Sequence, residues 1–228
     1  MDNAKKGINF IDVGCADYLV EPWSKYPKDI NFILGFDVHG IKEYKRQLLR
    51  EKINHKIYQK LIFTEPLDKI LVCKKKQNSS LFKVDTNLMK EYVRKSGKGE
   101  YRYKQREFDF RSKRTKKVKC VRLDETIDKM GINFDFIKID TQGSEYQVLK
   151  SLGEYLKTQI IGVYAELFFK PLYREIILYQ DVDKYLRSCG FHQVIKVDHS
   201  EWVQDFLYIR NDKLKKTKIE FIKKIYEV

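Results

Sequence analysis

Acidic residues recur in this sequence where short apolar runs end: Asp12 and Asp17 around the close of GINFIDVG, Asp37 closing NFILGFD, Asp140 closing FDFIKID, and Glu166 late in the run 160–167. If those runs are strands of one open parallel sheet, the acids gather at one edge, because ligands of such sheets bind beyond the carboxyl ends of the strands. Asp37 stands about 20 residues beyond the glycine turn at Gly14, the spacing at which a carboxylate accepts hydrogen bonds from ribose hydroxyls. Strand, glycine turn, second strand and acid together point to an adenosine-containing cofactor. The turn reads Gly14-Cys15-Ala16-Asp17-Tyr18 and lacks G-x-G-x-x-G. Backbone is then not arranged to approach a pyrophosphate, and a phosphate-free cofactor such as S-adenosylmethionine fits better.

Lys138 interrupts the apolar run FDFIKID. An unpaired ammonium in a strand covered on both faces is costly, so a carboxylate partner is expected, with Glu166 and Asp12 the first candidates. Lys138 lies two residues before Asp140 and shares its face of the sheet. It can tie neighbouring strands together or position substrate or cofactor, and both roles stay open.

The elements that must hold these groups alternate. Residues 7–14 and 31–37 form buried strands, and 41–53 has helical spacing. Residues 57–64 and 69–73 are further strands, 78–80 a turn or lid, and 87–95 a helix. A helix at 123–130 closes on Gly131, the strand 134–140 follows, and an amphipathic helix is expected over 144–156. Next come a strand at 160–167, a helix at 181–189 capped by Gly190, and two strands at 191–197 and 204–210 joined by a polar turn. Such alternation predicts an α/β fold with a mostly parallel sheet, an antiparallel C-terminal hairpin and helices on both faces.

With 228 residues, 43% of them hydrophobic, the chain can bury a core without disulfide or metal, and one domain over 1–228 is expected. Cys15, Cys73, Cys120 and Cys189 form no C-x-x-C pair and have no histidines at metal-ligand spacing, so they read as free thiols of a reducing compartment. No charged-then-apolar leader opens the chain, and the longest apolar run, near 160–169, is too short to span a bilayer; a cytoplasmic location is expected. The net charge of +14 attracts anions, although a coding bias toward lysine-rich composition raises surface charge equally well. About a dozen basic residues against three acidic ones fall in 94–122. Within it, 96–117 is expected to be a basic, mobile, exposed cover near an acceptor, which its charge would make anionic. A basic amphipathic helix is expected over 213–228.

Leu123-Asp124-Glu125 leading into FIKIDTQGSEYQVLKSL, with FIDVGCAD, GFD, NSSLF, AELFFKPLY, DVDKYLRSCGF and DFLYIR in order, resembles the FkbM family of S-adenosylmethionine-dependent methyltransferases across nearly the whole chain. The resemblance implies a Rossmann-like class I methyltransferase fold with a seven-stranded sheet. It also implies methyl transfer to a hydroxyl of a sugar, glycan or other natural product. Gly14 and Asp17 would face the methionine part of the cofactor, Asp37 the ribose, and Asp140 the border with the acceptor. Asp12, Cys15 and Ala16 complete the expected cofactor contacts. Two positions depart from the family: Tyr18 stands where a glycine is usual, and Gln142 where many members have Glu.

Methyl transfer requires an in-line approach and removal of the acceptor's proton. Asp140 is the leading base, because its loop opens a helix whose N-terminus favours an ionised carboxylate. Glu166 and Lys138 complete the expected catalytic set, with Glu145 a further candidate. His39, His55, His192 and His199 lack motif context and are expected on the surface. No metal is assigned, although a divalent cation held by Asp140 and another carboxylate could acidify the hydroxyl instead. Two alternatives stand beside this reading. One is an RNA or DNA methyltransferase, carried by the basic segment with Tyr101, Tyr103, Phe108 and Phe110 interleaved; against it, Asp140-Thr141-Gln142-Gly143 lacks the Asn/Asp-Pro-Pro-Tyr/Phe run of base amino methylation. The other is a catalytically weak cofactor-binding protein, kept open by Tyr18.

Overall fold

The computed structural model describes residues 7–15, 17–65, 69–75, 78–95, 104–105, 108, 110, 112–198 and 200–228. In chain order the strands are β1 (Ile8–Val13), β2 (Ile30–Phe36), β3 (Asn54–Tyr58), β4 (Leu61–Ile62), β5 (Lys69–Cys73), β6 (Ser112–Lys117), β7 (Cys120–Val121), β8 (Phe136–Ile139), β9 (Gly162–Phe168), β10 (Phe191–Asp198) and β11 (Val203–Arg210). The helices are α1 (Lys42–Arg50), α2 (Thr86–Lys95), α3 (Leu123–Met130), α4 (Glu145–Lys150), α5 (Tyr155–Thr158), α6 (Tyr179–Ser188) and α7 (Lys216–Ile225).

Seven strands form one sheet in the order β10-β11-β9-β8-β1-β2-β3. All pairings from β3 to β9 are parallel, whereas β11 runs antiparallel to both β9 and β10. This is the Rossmann-like class I methyltransferase sheet that the resemblance implied. From β1 the chain steps outward to β2 and β3, then returns to the other side of β1 to lay down β8 and β9. The order therefore reverses between β1 and β8, and the crevice for a ligand opens there.

Helices cover both faces. On one, Leu123 and Ile127 of α3, Val148 and Leu149 of α4, Leu156 of α5 and Val182 and Leu186 of α6 pack against Ile11, Leu34, Ile137 and Val163. On the other, Tyr44 and Leu48 of α1 and Ile219, Ile222 and Ile225 of α7 enclose Phe10, Trp23 and Phe136. Trp23 and Phe136 lie 4.7 Å apart between ring centres, and the Trp23 indole N–H donates to the Tyr226 hydroxyl at 3.0 Å.

Several boundaries differ from the sequence pattern. The helix expected over 144–156 is two helices, interrupted where Gly153 takes a left-handed φ of 55°. The strand expected over 57–64 splits: β3 closes the main sheet, and β4 pairs with β7. The expected mobile cover at 96–117 lies partly outside the described residues. Its last six residues are β6, antiparallel to β5 with Lys69 opposite Lys117. Backbone pairing to β5 places this strand, since Ser112–Lys117 (SKRTKK) has no apolar alternation to betray it.

The basic C-terminal segment is tied to the sheet by charge as well as by its apolar stripe. Asp135, 1% exposed, accepts the Asn9 backbone N–H and pairs with Lys215 at 3.1 Å and Lys218 at 2.6 Å. Part of the positive charge of this segment is therefore structural. Asp135→Ala, which leaves two lysines and a backbone N–H without their acceptor, should cost on the order of 3–5 kcal/mol in urea unfolding. Lys218→Met, with Lys215 still in place, should cost clearly less.

Candidate active site

The carboxyl ends of β1, β2 and β8 meet in one cleft. Gly14, Asp17, Asp37, Val38, His39, Lys60, Leu61, Ile62, Ile70, Ser79, Asp140, Thr141 and Gln142 line it. Register explains the convergence, because Val13 lies opposite both Phe36 and Ile139. The Gly14 N–H donates to the Phe36 carbonyl at 2.8 Å and the Asp140 N–H to the Val13 carbonyl at 3.0 Å. Gly14 has φ 77°, and a Cβ there would overlap the Asp140 carbonyl oxygen. Only glycine meets both conditions.

Beneath the Gly14 turn, Lys138 is buried and donates to the Gly14 carbonyl at 2.8 Å. It lies 3.5 Å from Asp12 Oδ1 and 3.8 Å from Asp140 Oδ2. Burial pushes the ammonium pKa down, but the charges of Asp12 and Asp140 outweigh that effect and hold Lys138 above the usual lysine value. The expected carboxylate partner is thus Asp12, while Glu166 makes no ion pair with Lys138. Asp12 is itself 1% exposed and accepts the Tyr44 hydroxyl at 2.6 Å, so it supports the turn from below and does not line the cleft.

Cys15 also lies under the cleft: its side chain packs in the core and its backbone N–H donates to the Phe36 carbonyl at 3.2 Å. Burial pushes its thiol well above the ordinary cysteine value. Ala16, the remaining expected contact, falls outside the described residues. Tyr18 is exposed and is not among the described residues with left-handed backbone, so the turn proceeds without the glycine usual there. Asp37 reaches the cleft, with one carboxylate oxygen accepting the His39 N–H at 2.6 Å. His39 lies in the cleft wall, in contrast to its expected surface position, because it follows the β2 terminus by three residues.

The loop between β8 and α4 departs furthest from the expectation. Its amides are held by Glu145, not by Asp140. Glu145 accepts the Thr141 N–H at 2.9 Å, the Thr141 hydroxyl at 3.0 Å and the Gly143 N–H at 3.0 Å. The helix N-terminus thus has its own buried carboxyl, and Glu145 is removed from the candidate bases. Asp140 instead contacts Lys138 and the Gln142 amide, which donates to Asp140 Oδ1 at 3.1 Å and to Glu166 Oε2 at 2.9 Å. Glu166 is joined to the cleft through Gln142. Ser79, Ser80, Gln142 and Tyr173 were not singled out as site residues from sequence; the run NSSLF and the family position of Gln142 were the available signals. Phe110, one of the aromatics interleaved in the basic segment, is buried against Tyr173 and is not a stacking platform. No group of metal-ligating side chains occurs among the described residues. No helix among them is long and apolar enough to cross a membrane.

Comparison with known proteins adds three findings. Residues 12–192 match the methyltransferase FkbM domain family. No curated protein matches the chain. Among solved structures, it is similar to magnesium protoporphyrin IX methyltransferase from Synechocystis with bound SAM (11% identity over 92% of this chain and 73% of that one, TM-score 0.43). It is also similar to the 1,6-didemethyltoxoflavin-N1-methyltransferase of Burkholderia thailandensis (10% identity, 91% and 72%, TM-score 0.42). A third is a TehB-like SAM-dependent methyltransferase from Corynebacterium glutamicum (8% identity, 90% and 82%, TM-score 0.40).

Burial raises the Glu145 carboxyl from its usual 4.5 to about 7, against the pull of the loop amides. The folded protein therefore binds this proton more tightly than the unfolded chain. The resulting stability is complete below about pH 4.5 and is lost as pH rises through 7, for a change of about 3 kcal/mol. Urea melts at stepped pH should show this decline in the native protein, and Glu145→Gln should remove it.

Proposed function

Because the chain belongs to the FkbM family of S-adenosylmethionine-dependent methyltransferases, we propose that it methylates a hydroxyl of a sugar, glycan or other natural product, using the cleft at the ends of β1, β2 and β8. The observation that carries this reading is the convergence of Gly14, Asp37 and Asp140 on one cleft from three separate parts of the chain. The lining suits the cofactor's chemistry. Asp37 ends β2 where a ribose would be held, Val38, Leu61, Ile62 and Ile70 give an apolar wall for a flat base, and Asp17 and Asp140 supply negative charge. The turn at Gly14 has one glycine and offers no pyrophosphate cradle.

When bound, S-adenosylmethionine supplies an electrophilic methyl group on a positively charged sulfur. The protein's task is then to align an oxygen with that carbon and accept its proton. Asp140 meets the second requirement: its side chain is 44% exposed and it lines the cleft. In that transfer Asp140 would hold the acceptor hydroxyl and take its proton on the carboxylate. Lys138 holds Asp140 and the Gly14 carbonyl together, keeping the base in register with the cofactor turn. Glu166 acts from behind Gln142. Lys60 in the cleft wall and Lys116 of β6, whose ammonium donates to the Val38 carbonyl, favour an acceptor with anionic character.

Calorimetry should detect one S-adenosylmethionine per chain at micromolar affinity, roughly 8 kcal/mol, strongly weakened in Asp37→Ala. Tight NAD binding without S-adenosylmethionine binding would end this reading. Once an acceptor is in hand, Asp140→Asn should slow single-turnover transfer about 100- to 10,000-fold while still binding cofactor. His39→Ala, His55→Ala, His192→Ala and His199→Ala should each slow it far less; a collapse confined to one histidine variant would move the base there.

A further inference from the structure

Gln142 stands between Asp140 and Glu166, and its side chain is held at every polar atom. Its backbone has φ 57°, in the left-handed region that favours glycine. A longer residue persists there only when its surroundings compensate. The compensation is visible: the Ser80 hydroxyl donates to the Gln142 carbonyl at 2.6 Å, and the buried Tyr173 hydroxyl donates to Oε1 at 2.8 Å. Both amide hydrogens then point the other way, one to Asp140 Oδ1 at 3.1 Å and one to Glu166 Oε2 at 2.9 Å. In this orientation the Gln142 oxygen faces a hydroxyl and its amide hydrogens face the two carboxyls, the ionised Asp140 among them.

The two carboxyls share one nitrogen but occupy different surroundings. Asp140 is partly open to the cleft and has Lys138 beside Oδ2, with Asp12 behind the lysine. Glu166 does not line the cleft and pairs with no cation among the described residues. Asp140, Glu145 and Asp205 face it, with Asp205 directly opposite on β11. The neighbouring Tyr164 hydroxyl is given to Asp205 at 2.9 Å and that of Tyr173 to Gln142, so neither relieves Glu166. Burial and the charges of Asp140, Glu145 and Asp205 push the Glu166 carboxyl well above the usual range, and the Gln142 amide works against them.

We propose that Gln142 is a positioning residue that joins Asp140 and Glu166 into one carboxyl pair carrying a single proton, with Asp140 the ionised, cleft-facing member and Glu166 the protonated one. Such a pair presents an acceptor hydroxyl with the Asp140 oxygen that takes its proton, while the Glu166 proton stays behind Gln142 and keeps the pair at one negative charge. A glutamate at this position could not span two carboxyls without a further proton. This chemical consequence rests on the cleft being the methyl-transfer site; the protonation pattern does not.

Carbon-13 NMR of the native protein labelled at glutamate carboxyls tests the pattern without any acceptor, with the Glu166 signal assigned through Glu166→Gln. That signal should be protonated at neutral pH and ionise only above it. Gln142→Glu should raise its titration by about one pH unit or more, because a third carboxyl joins the pair. Gln142→Gly keeps the backbone turn without strain and should also raise it, because the donor shared with Asp140 is gone. Glu166 ionising in the ordinary glutamate range, or a titration unmoved by both substitutions, would overturn the proposal. S-adenosylmethionine calorimetry on the same samples reports separately on the methyltransferase reading, so the two failures are distinguishable. If Gln142→Glu does not fold, the native protein and Gln142→Gly decide.

Discussion

Backbone touches backbone where the Gly14 turn meets the Asp140 carbonyl, and the site is built outward from that contact. Any Cβ at Gly14 would enter the Asp140 oxygen, so β1 and β8 can end side by side only with glycine there. Lys138 reinforces the junction by donating to the Gly14 carbonyl while pairing with Asp12 and approaching Asp140. A buried ammonium of this kind is costly unless every neighbour is placed correctly. The same side chain that costs energy in isolation therefore discriminates strongly for one register of β1 against β8. The Gly14 and Cys15 amides, both donating to the Phe36 carbonyl, extend the constraint to β2 and so to Asp37.

From this junction follows the management of acid. The chain carries a net charge of +14, yet its cleft is ringed by carboxyls. The acids in and beneath it differ in what holds them. Asp12 has Lys138 and Tyr44, Glu145 has the loop amides, Asp37 has the His39 N–H, and Glu166 shares Gln142 with Asp140. Only some of these acids face the cleft. The division separates groups that build the turn from groups free to meet a cofactor and an acceptor. Such a division suits the proposed hydroxyl methylation, in which a positively charged donor and a proton-releasing acceptor would share one small space.

Much of this was legible beforehand. Continuous apolar runs predicted β1, β2, β8 and β9, since strands covered on both faces need such runs. The glycine turn and the strand-end acids predicted where the cleft lies, because sheet topology brings those ends together whatever the helices do. Lys138 announced its need for a partner by being a charge in an apolar strand. By contrast, β6 was invisible: Ser112–Lys117 is held by backbone pairing to β5, and its side chains carry no apolar period. The helix over 144–156 was broken by the left-handed Gly153, which periodicity cannot register.

Residue type and order along the chain thus determined the fold class, the family and the edge of the sheet where the cleft opens. Which carboxyl does what was decided only in three dimensions. Asp12, Asp140, Glu145 and Glu166 are equivalent as letters, each at or near a strand end. Asp12 and Glu166 are set apart by contacts made across 24 or more positions of sequence, with Tyr44 and Gln142, whereas Glu145 is held by the loop beside it. Burial and hydrogen bonding set the protonation of a carboxyl, and both are properties of its surroundings in the folded chain.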